Sequence, residues 1–350
     1  MPAAGLHDLR ISFYPRTMRL FPCSEGLLDV YDQPPFPRRN KVSSVSEGEV
    51  NVPVSEAYSE ETPAGGRSAK AAQWILLFKR LARNKTALIG GIFIVILIVI
   101  ALAPSLFATH DPIREQNIAN RFAEPSAEHW FGTDNLGRDV YSRVIYGTRV
   151  TLYIAFTSVF AGAIVGVTLG IVAGYYGGWI DTIIMRIMDV LLAFPGILLA
   201  LAIVSALGAA LDNVIIAIAI FAIPTFARIV RGSTLSVKNL EYIEAIRALG
   251  ARDTKIIFQH ILPNVLSPIV IQGTLYIATA ILIASGLSFL GLGAQPPVPE
   301  WGLMLAGGRD FIWNAIHVSL FPGLAIVLAV LAFNLLGDGL RDALDPRTKD

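Results

Sequence analysis

Six long apolar runs dominate the pattern of hydrophobic and polar positions along this chain of 350 residues. The first run, residues 88–107, carries no charged side chain, and about 20 such residues are enough for a helix to cross a bilayer. The other runs cover residues 150–174, 183–207, 213–230, 266–290 and 315–336. The pattern therefore predicts an all-α protein, a polytopic membrane bundle of six transmembrane helices.

Composition supports a membrane protein and excludes several other classes. The chain is 54% hydrophobic and only 16% charged, with a mean hydropathy of +0.58. A net charge of +1 provides no basic surface for nucleic acid. The single cysteine, Cys23, excludes an intramolecular disulfide framework and a thiolate metal cluster.

Charge outside the apolar runs predicts the orientation. Residues 1–70 lack a lasting period and are predicted to be a disordered tail, without the continuous apolar stretch of a cleavable signal peptide. Residues 71–87 form an amphipathic basic segment, which predicts a cytoplasmic N-terminus. Six spans within a permease domain of residues 88–350 then return the C-terminus to the cytoplasm. The loop from Arg228 to Leu266 agrees, with six cations against three acids, whereas the loop from Ala108 to Arg149, predicted to be external, contains five arginines.

Two features inside the spans favour structural roles. Glycines recur every four residues along one helix face, which favours close helix packing within the subunit over a seam with a second subunit. Arg186 and Asp189 are three residues apart and are predicted to form a structural ion pair, and Pro195 is predicted to kink the same span. The members of this glycine strip are Gly162, Gly166, Gly170 and Gly174.

The chain lacks the usual signatures of an enzyme. No Gly-Lys dipeptide is present, so a phosphate-binding loop is excluded, and no G-x-S-x-G motif occurs. The histidines at positions 7, 110, 129, 260 and 317 are scattered, and each is predicted to be a lone residue without a metal. Few ionisable groups lie within the spans, which disfavours a proton- or ion-coupled carrier. Energy is therefore expected from another polypeptide.

A loop at residues 231–265 combines two short helical patterns. Tyr242, Ile246 and Leu249 share one face of an amphipathic helix over residues 240–249. Gly250 suits a left-handed C-cap, and Asp253 is predicted to cap a second helix. The pattern predicts a bent pair of helices outside the bilayer.

This loop resembles the E-A-A-x-x-x-G motif of permease subunits in ATP-binding-cassette importers. The segments that carry the resemblance are Glu244-Ala245-Ile246, Gly250 and His260-Ile261-Leu262-Pro263, with Ile246 and His260 departing from the family pattern. The resemblance implies the type I importer permease fold and a coupling helix that docks on an ATPase subunit. It implies that Glu244, Ala245 and Gly250 serve this docking, with Tyr242, Ile246 and Leu249 as its apolar face.

Two further segments are similar to the peptide, nickel and glutathione branch of that family. The first is Trp130-Phe131-Gly132-Thr133-Asp134 with Gly137-Arg138-Asp139-Val140 and Ser142-Arg143, and the second runs from Ser288 to Gly302. The external motif residues Gly132, Asp134, Gly137, Arg138, Asp139 and Arg143 are predicted to be a hydrogen-bonded scaffold, with contacts to a binding protein as the alternative. Ala284 stands where many oligopeptide-type relatives carry glutamate, which favours dipeptide-like substrates.

The resemblance implies a complete transport assembly in a bacterial or archaeal cytoplasmic membrane. This chain would pair with a second related permease subunit, two cytoplasmic ATPase subunits and an external substrate-binding protein. It would bind no cofactor itself, since ATP and Mg would lie on the ATPase subunits. The expected cargo is dipeptides or short oligopeptides, with nickel or glutathione as alternatives. A self-sufficient secondary carrier and a non-transporting scaffold are the remaining hypotheses.

Overall fold

The computed structural model of the protein describes Leu81 and residues 84–344. The predicted tail at residues 1–70 and most of the basic segment at 71–87 lie outside this part. The described part contains helices and no β-strand, so the all-α prediction is confirmed there. The helices are α1 Lys85–Leu102, α2 Val140–Tyr176, α3 Gly178–Leu192, α4 Gly196–Leu207, α5 Leu211–Lys238, α6 Glu241–Ala248, α7 Asp253–Phe289, α8 Trp301–Gly308 and α9 His317–Leu344.

Five of these helices are long and apolar enough to cross a membrane, namely α1, α2, α5, α7 and α9. The third predicted span is not one helix, because α3 and α4 meet at an angle of 88° and count as a sixth span only when taken together. Pro195 stands at this break and directly precedes α4. Its missing N–H and fixed φ end the regular helix, so the predicted kink is a full break.

The ends of the helices differ from the predicted span boundaries in both directions. The first helix ends at Leu102, five residues before the end of the apolar run, because Pro104 begins a short 3₁₀ turn. The ring of a proline disfavours the α conformation of the residue before it, here Ala103, so α1 ends at Leu102. The helices α2, α5, α7 and α9 each extend beyond the apolar runs. Hydropathy marks the part of a helix that lies in lipid, whereas hydrogen bonding continues into the polar residues that follow.

The glycine strip of α2 packs within the chain against α5, which is the interpretation that the sequence favoured. Each glycine lies opposite a residue of α5 so closely that an added Cβ would stand less than 3 Å from atoms of that helix. At Gly166, for example, this Cβ would lie 2.6 Å from the carbonyl oxygen of Ile223 and 2.7 Å from Cβ of Phe226. The absence of side chains along about three turns therefore sets the distance between α2 and α5.

Two ion pairs connect α3 to α5, and they correct the predicted pair of Arg186 with Asp189. Asp189 accepts a hydrogen bond from Arg228 at 2.8 Å, and Asp181 accepts two from Arg231 at 2.5 and 2.6 Å. Among the described residues, Arg186 forms no ion pair. The acids of α3 find their partners on the neighbouring helix, where arginine can approach them, rather than along their own helix.

Candidate functional site

The short helix α6 and the start of α7 form the bent pair that the sequence predicted. Gly250 follows α6 with φ of 82°, a left-handed conformation that glycine adopts without steric cost. Its N–H donates to the carbonyl of Arg247, and the N–H of Ala251 donates to the carbonyl of Ile246. These two bonds form a Schellman motif, which ends the helix and turns the chain toward α7.

One face of α6 is anchored to the membrane helices. Ile243 is fully buried and packs in an apolar cluster with residues from α2, α5 and α7. The members of this anchor cluster are Ile171, Tyr175, Val230, Ile243, Ile256, Ile261 and Val265. Ile246 packs partly against the same cluster, so it belongs to the anchored side rather than to the predicted docking face. The anchor cluster connects α6 to three long helices.

The opposite face of α6 is uncovered in this chain. Leu249 is 88% exposed and Tyr242 is 42% exposed, both large values for apolar or aromatic side chains. Glu244 and Ala245 are exposed as well. Five of the six residues predicted for docking therefore lie on accessible surface: Tyr242, Glu244, Ala245, Leu249 and Gly250.

Polar contacts around Tyr175 tie the end of α2 to the bent pair. The Tyr175 hydroxyl donates to Asp253 at 2.6 Å, and Lys238 Nζ donates to the Tyr175 carbonyl at 2.5 Å. The guanidinium of Arg247 lies 5.5 Å from the centre of the Tyr175 ring, within cation–π range. The structure corrects the prediction for Asp253, whose side chain binds Tyr175 and makes no capping hydrogen bond. Sequence reasoning missed Tyr175, since its partners are 63 to 78 residues away.

At the other end of α2, the loop that precedes this helix folds around Asp134. The Asp134 carboxylate accepts hydrogen bonds from the N–H groups of Leu136 and Arg138, at 2.8 and 3.0 Å, and from Nε of Arg138 at 2.7 Å. Nε of Arg143 lies 3.6 Å from the same carboxylate, and another nitrogen of Arg143 donates to the carbonyl of Pro112 at 2.9 Å. These contacts form a hydrogen-bonded scaffold within the chain.

Two motif glycines allow the tight path of this loop. Gly132 and Gly137 have φ of 74° and 71°, which disfavour any other residue. A Cβ on Gly132 would also lie 2.7 Å from the ring of His317. His317 Nε2 is 3.0 Å from the carbonyl oxygen of Thr133, so the loop is bound to the start of α9. The conformation of the loop therefore explains why glycine is required at both positions, without a contact to a partner protein.

Asp139 caps α2 and brings two histidines together. One Asp139 oxygen accepts from the N–H of Ser142 at 2.7 Å, and the other lies 3.0 Å from Nδ1 of His129. The rings of His110 and His129 are 4.8 Å apart, and Glu128 is close to both. The prediction that each histidine is a lone residue is thus wrong for these two. The loop folds back on itself, and no sequence spacing reveals that proximity.

The segment before α8 is held by a buried carboxylate. Glu300 is fully buried and accepts hydrogen bonds from the N–H groups of Gly302 and Leu303, at 3.0 and 2.8 Å, which caps α8. Burial raises the pKa of the Glu300 carboxyl above its usual range, although these bonds oppose the rise. The neighbouring Trp301 is also buried and donates from its indole to the carbonyl of Val144 on α2 at 2.9 Å.

Ala284 lies in the apolar core of the bundle. It is fully buried on α7 and belongs to the same cluster as Ile281 and Leu287. A glutamate in this place would put a carboxylate into apolar surroundings at high cost, unless the neighbouring packing also changed. The alanine is therefore consistent with its own local environment.

Comparison with known proteins finds both family profiles and close relatives. Residues 166–350 match the family described as binding-protein-dependent transport system inner membrane component, and residues 72–125 match the N-terminal transmembrane domain of oligopeptide transport permease C. The dipeptide transport system permease protein DppC of Alkalihalophilus pseudofirmus is 50% identical over 297 residues, 85% of this chain and 97% of that protein. The glutathione transport system permease protein GsiD of Pectobacterium atrosepticum is 51% identical over 276 residues, 79% of this chain and 92% of that protein. Among solved structures, the methionine ABC transporter MetNI in an inward-facing form is similar at a TM-score of 0.49 and 23% identity, over 58% of this chain and 96% of that chain.

Proposed function

The chain belongs to the family of binding-protein-dependent transport system inner membrane components, and from this premise we propose that it is the permease subunit of an ATP-driven importer for dipeptides or short oligopeptides. The described part provides at least five spanning helices, as a multi-pass inner-membrane protein requires. The peptide cargo is supported by the relative named as a dipeptide permease, which matches 85% of this chain.

The observation that carries the coupling part of the proposal is the two-sided character of α6. Its Ile243 side is buried against α2, α5 and α7, and its Leu249 side is open. A helix that only lay on a membrane surface would not need a buried link to three spanning helices. In the proposal, an ATPase subunit binds the open side, and the buried side transmits its movement to the bundle.

The length of α2 supports the arrangement of partners. With 37 residues and about 1.5 Å of rise per residue, this helix is about 55 Å long, whereas the hydrocarbon core of a bilayer is about 30 Å thick. Tyr175 at one end contacts the bent pair, and Ser142 at the other end belongs to the Asp139 cap. The ATPase subunits would therefore bind on the cytoplasmic side and the substrate-binding protein on the opposite side.

The remaining parts of the proposal concern subunits outside this chain. The spanning helices expose many large apolar side chains, among them Ile89 on α1 and Phe160 on α2. Lipid and a second, related permease would cover these faces, and the two bundles would enclose the peptide pathway between them. ATP and Mg would bind to the two ATPase subunits, and both termini of this chain would be cytoplasmic.

The experiment reconstitutes the complete assembly in nanodiscs and measures ATP hydrolysis stimulated by the peptide-loaded binding protein. We expect Glu244→Arg to abolish the stimulation, because it reverses a charge on the open face of α6. Gly250→Pro should do the same, since proline cannot adopt the φ of 82° found there. Gly250→Asn, which tolerates that conformation, should retain most of the stimulation.

The matched control is Asp338→Arg, which reverses an exposed carboxylate on α9 rather than on α6. It should leave stimulated hydrolysis unchanged. Normal stimulation in both Glu244→Arg and Gly250→Pro would refute the coupling role of α6. Peptide uptake by this chain alone, in ATP-free vesicles under an ion gradient, would instead support a self-sufficient carrier.

Glutathione is the second candidate cargo, because permeases named for glutathione transport are 51–52% identical to this chain. Uptake by the assembly should be compared for a radiolabelled dipeptide and for glutathione, each with its binding protein present. Faster uptake of the dipeptide is expected. Uptake of glutathione alone would transfer the proposal to that cargo without changing the role of α6.

A further inference from the structure

The loop between α1 and α2 contains a cluster of three side chains with the chemistry of metal ligands, His110, Glu128 and His129. One ligand atom from each lies within 4.8 Å of the other two. Among the described residues this is the one such group of histidine, cysteine and acidic side chains. We refer to these three residues as the histidine cluster. It lies apart from α6 and is not used in the proposed coupling.

A buried carboxylate orients the histidine cluster. Asp139 is almost completely buried and is fixed by capping α2. Nδ1 of His129 is 3.0 Å from its Oδ1, and Nδ1 of His110 is 3.9 Å from its Oδ2. Hydrogen bonding at Nδ1 leaves Nε2 of His129 available as a ligand atom. A carboxylate behind a histidine in this way is the common outer-shell arrangement of metal sites, where it fixes the ring and raises its basicity.

The cavity beside the histidine cluster has a charge that suits a cation. Its volume is about 280 Å³, and its lining includes the carboxylates of Glu115, Glu128 and Asp139. No lysine or arginine is among the lining residues. The three acids in the lining would therefore attract a cation, and no lysine or arginine in the lining would repel it.

We propose that the histidine cluster binds one divalent transition-metal ion, zinc, through His110, Glu128 and His129. Two imidazoles and one carboxylate match the ligands zinc prefers and are unlike the all-oxygen sites of calcium and magnesium. Tetrahedral bonds of about 2.0–2.2 Å place ligand atoms about 3.3 Å apart, so the side chains must approach by at most about 1.5 Å. The exposed side chain of Glu128 allows that movement. Water completes the fourth position.

Zinc in this position would cross-link two parts of the loop. His110 follows α1, and Glu128 and His129 lie shortly before α2. The ion would hold these segments together next to the N-terminus of α2, which Asp139 caps and which is the end of the helix opposite to the bent pair. This proposal does not depend on what the chain transports.

The test is a zinc titration of the full-length chain in its assembled complex, without a polyhistidine tag, in nanodiscs and after removal of metal with EDTA. A chromogenic chelator competes for the ion and reports its affinity. We expect one zinc ion per chain to be lost in the His110→Ala/His129→Ala variant. Glu128→Gln should weaken zinc binding at least as much as the loss of an outer-shell partner, about 10–100-fold. X-ray absorption spectra at the zinc edge should show two imidazole ligands in the unmodified chain.

The matched control is His260→Ala, which removes a histidine near the bent pair and should leave the titration unchanged. Because Glu128 is exposed, the Glu128→Gln chain should form the complex even if the double variant does not. In that case the zinc affinity of Glu128→Gln alone tests the proposal. Unchanged zinc binding in Glu128→Gln and in any double variant that assembles would overturn the proposal, as would competition by magnesium at equal concentration. A cluster held only by its own hydrogen bonds would bind no zinc in the unmodified chain, and that result would also overturn the proposal.

Discussion

Gly166→Ala tests whether the glycine strip sets the contact between α2 and α5. The new Cβ would lie 2.6 Å from the carbonyl oxygen of Ile223 and 2.7 Å from Cβ of Phe226. Both atoms belong to the main chain of α5 or are directly attached to it, so neither can rotate away. Favourable contacts between carbon atoms require about 3.5–4.0 Å, so the two helices must separate by about 1 Å.

The expected cost combines two opposing contributions. Overpacking of a well-packed contact costs about 1–3 kcal/mol. Alanine is favoured over glycine within a helix by about 0.5–1 kcal/mol, which offsets part of this cost. With the middle value of each range, the net loss of stability is about 1 kcal/mol. A loss of about 1 kcal/mol lowers the melting temperature of a chain of 150–250 residues by about 2–4 °C, and the longer chain here should show a fall of at most this size.

The assay is thermal unfolding of the purified chain in one detergent, at one scan rate, because membrane proteins commonly unfold irreversibly. Gly232→Ala is the matched control, since Gly232 lies in α5 and a Cβ there would meet nothing within 4 Å. It should leave the melting temperature unchanged or raise it. An equal fall in both variants, or no fall in Gly166→Ala, would refute the packing argument.

Three further variants test other parts of the structure. Ile243→Ala should lower the melting temperature and weaken stimulated ATP hydrolysis, because a buried anchor is lost at a cost of about 2–5 kcal/mol, whereas Leu249→Ala should affect hydrolysis alone. Asp181→Asn should lower the melting temperature, because it removes the negative charge and replaces one of the two oxygens that accept from Arg231 by an NH2 donor, and Arg186→Gln should not. Burial raises the pKa of the Glu300 carboxyl in the folded chain. At pH values between the pKa of the unfolded chain and this raised pKa, the folded state retains a proton that the unfolded state has lost, so the stability falls as the pH rises. Glu300→Gln should remove this part of the pH dependence, and parallel melting curves against pH for both proteins would contradict it.

The spanning helices could be predicted because each depends on a continuous local property. A run of about 20 apolar residues has few alternatives to a membrane helix, and in the described part five of the six runs coincide with long apolar helices, while the third coincides with the bent pair α3 and α4. The helix ends and the 88° bend between α3 and α4 could not be predicted from hydropathy. Pro195 identifies the place of the break, but the angle depends on how α4 packs against its neighbours.

In the candidate site, too, local contacts could be predicted from the sequence and distant contacts could not. The turn at Gly250 was predictable, since a Schellman motif involves only the last residues of one helix and the glycine after it. The partner of Asp253 was not, because Tyr175 is 78 residues away and lies on another helix. Likewise, Asp189 was assigned to a neighbour in sequence, although its partner is Arg228 on α5. Spacing within one helix cannot exclude a better partner across a helix contact.

The helix α2 runs as one continuous element from the loop around Asp134 to the bent pair. It contains no proline, whereas α5 and α9 each contain one and α7 contains two. Its glycine strip fits between side chains of α5 that recur every four residues, so sliding by less than a full turn of about 5.4 Å would force side chains together. The pair α2 and α5 should therefore move as a unit when α6 is displaced. Relative movement within this chain should instead concentrate at the break around Pro195, where the helix is already interrupted.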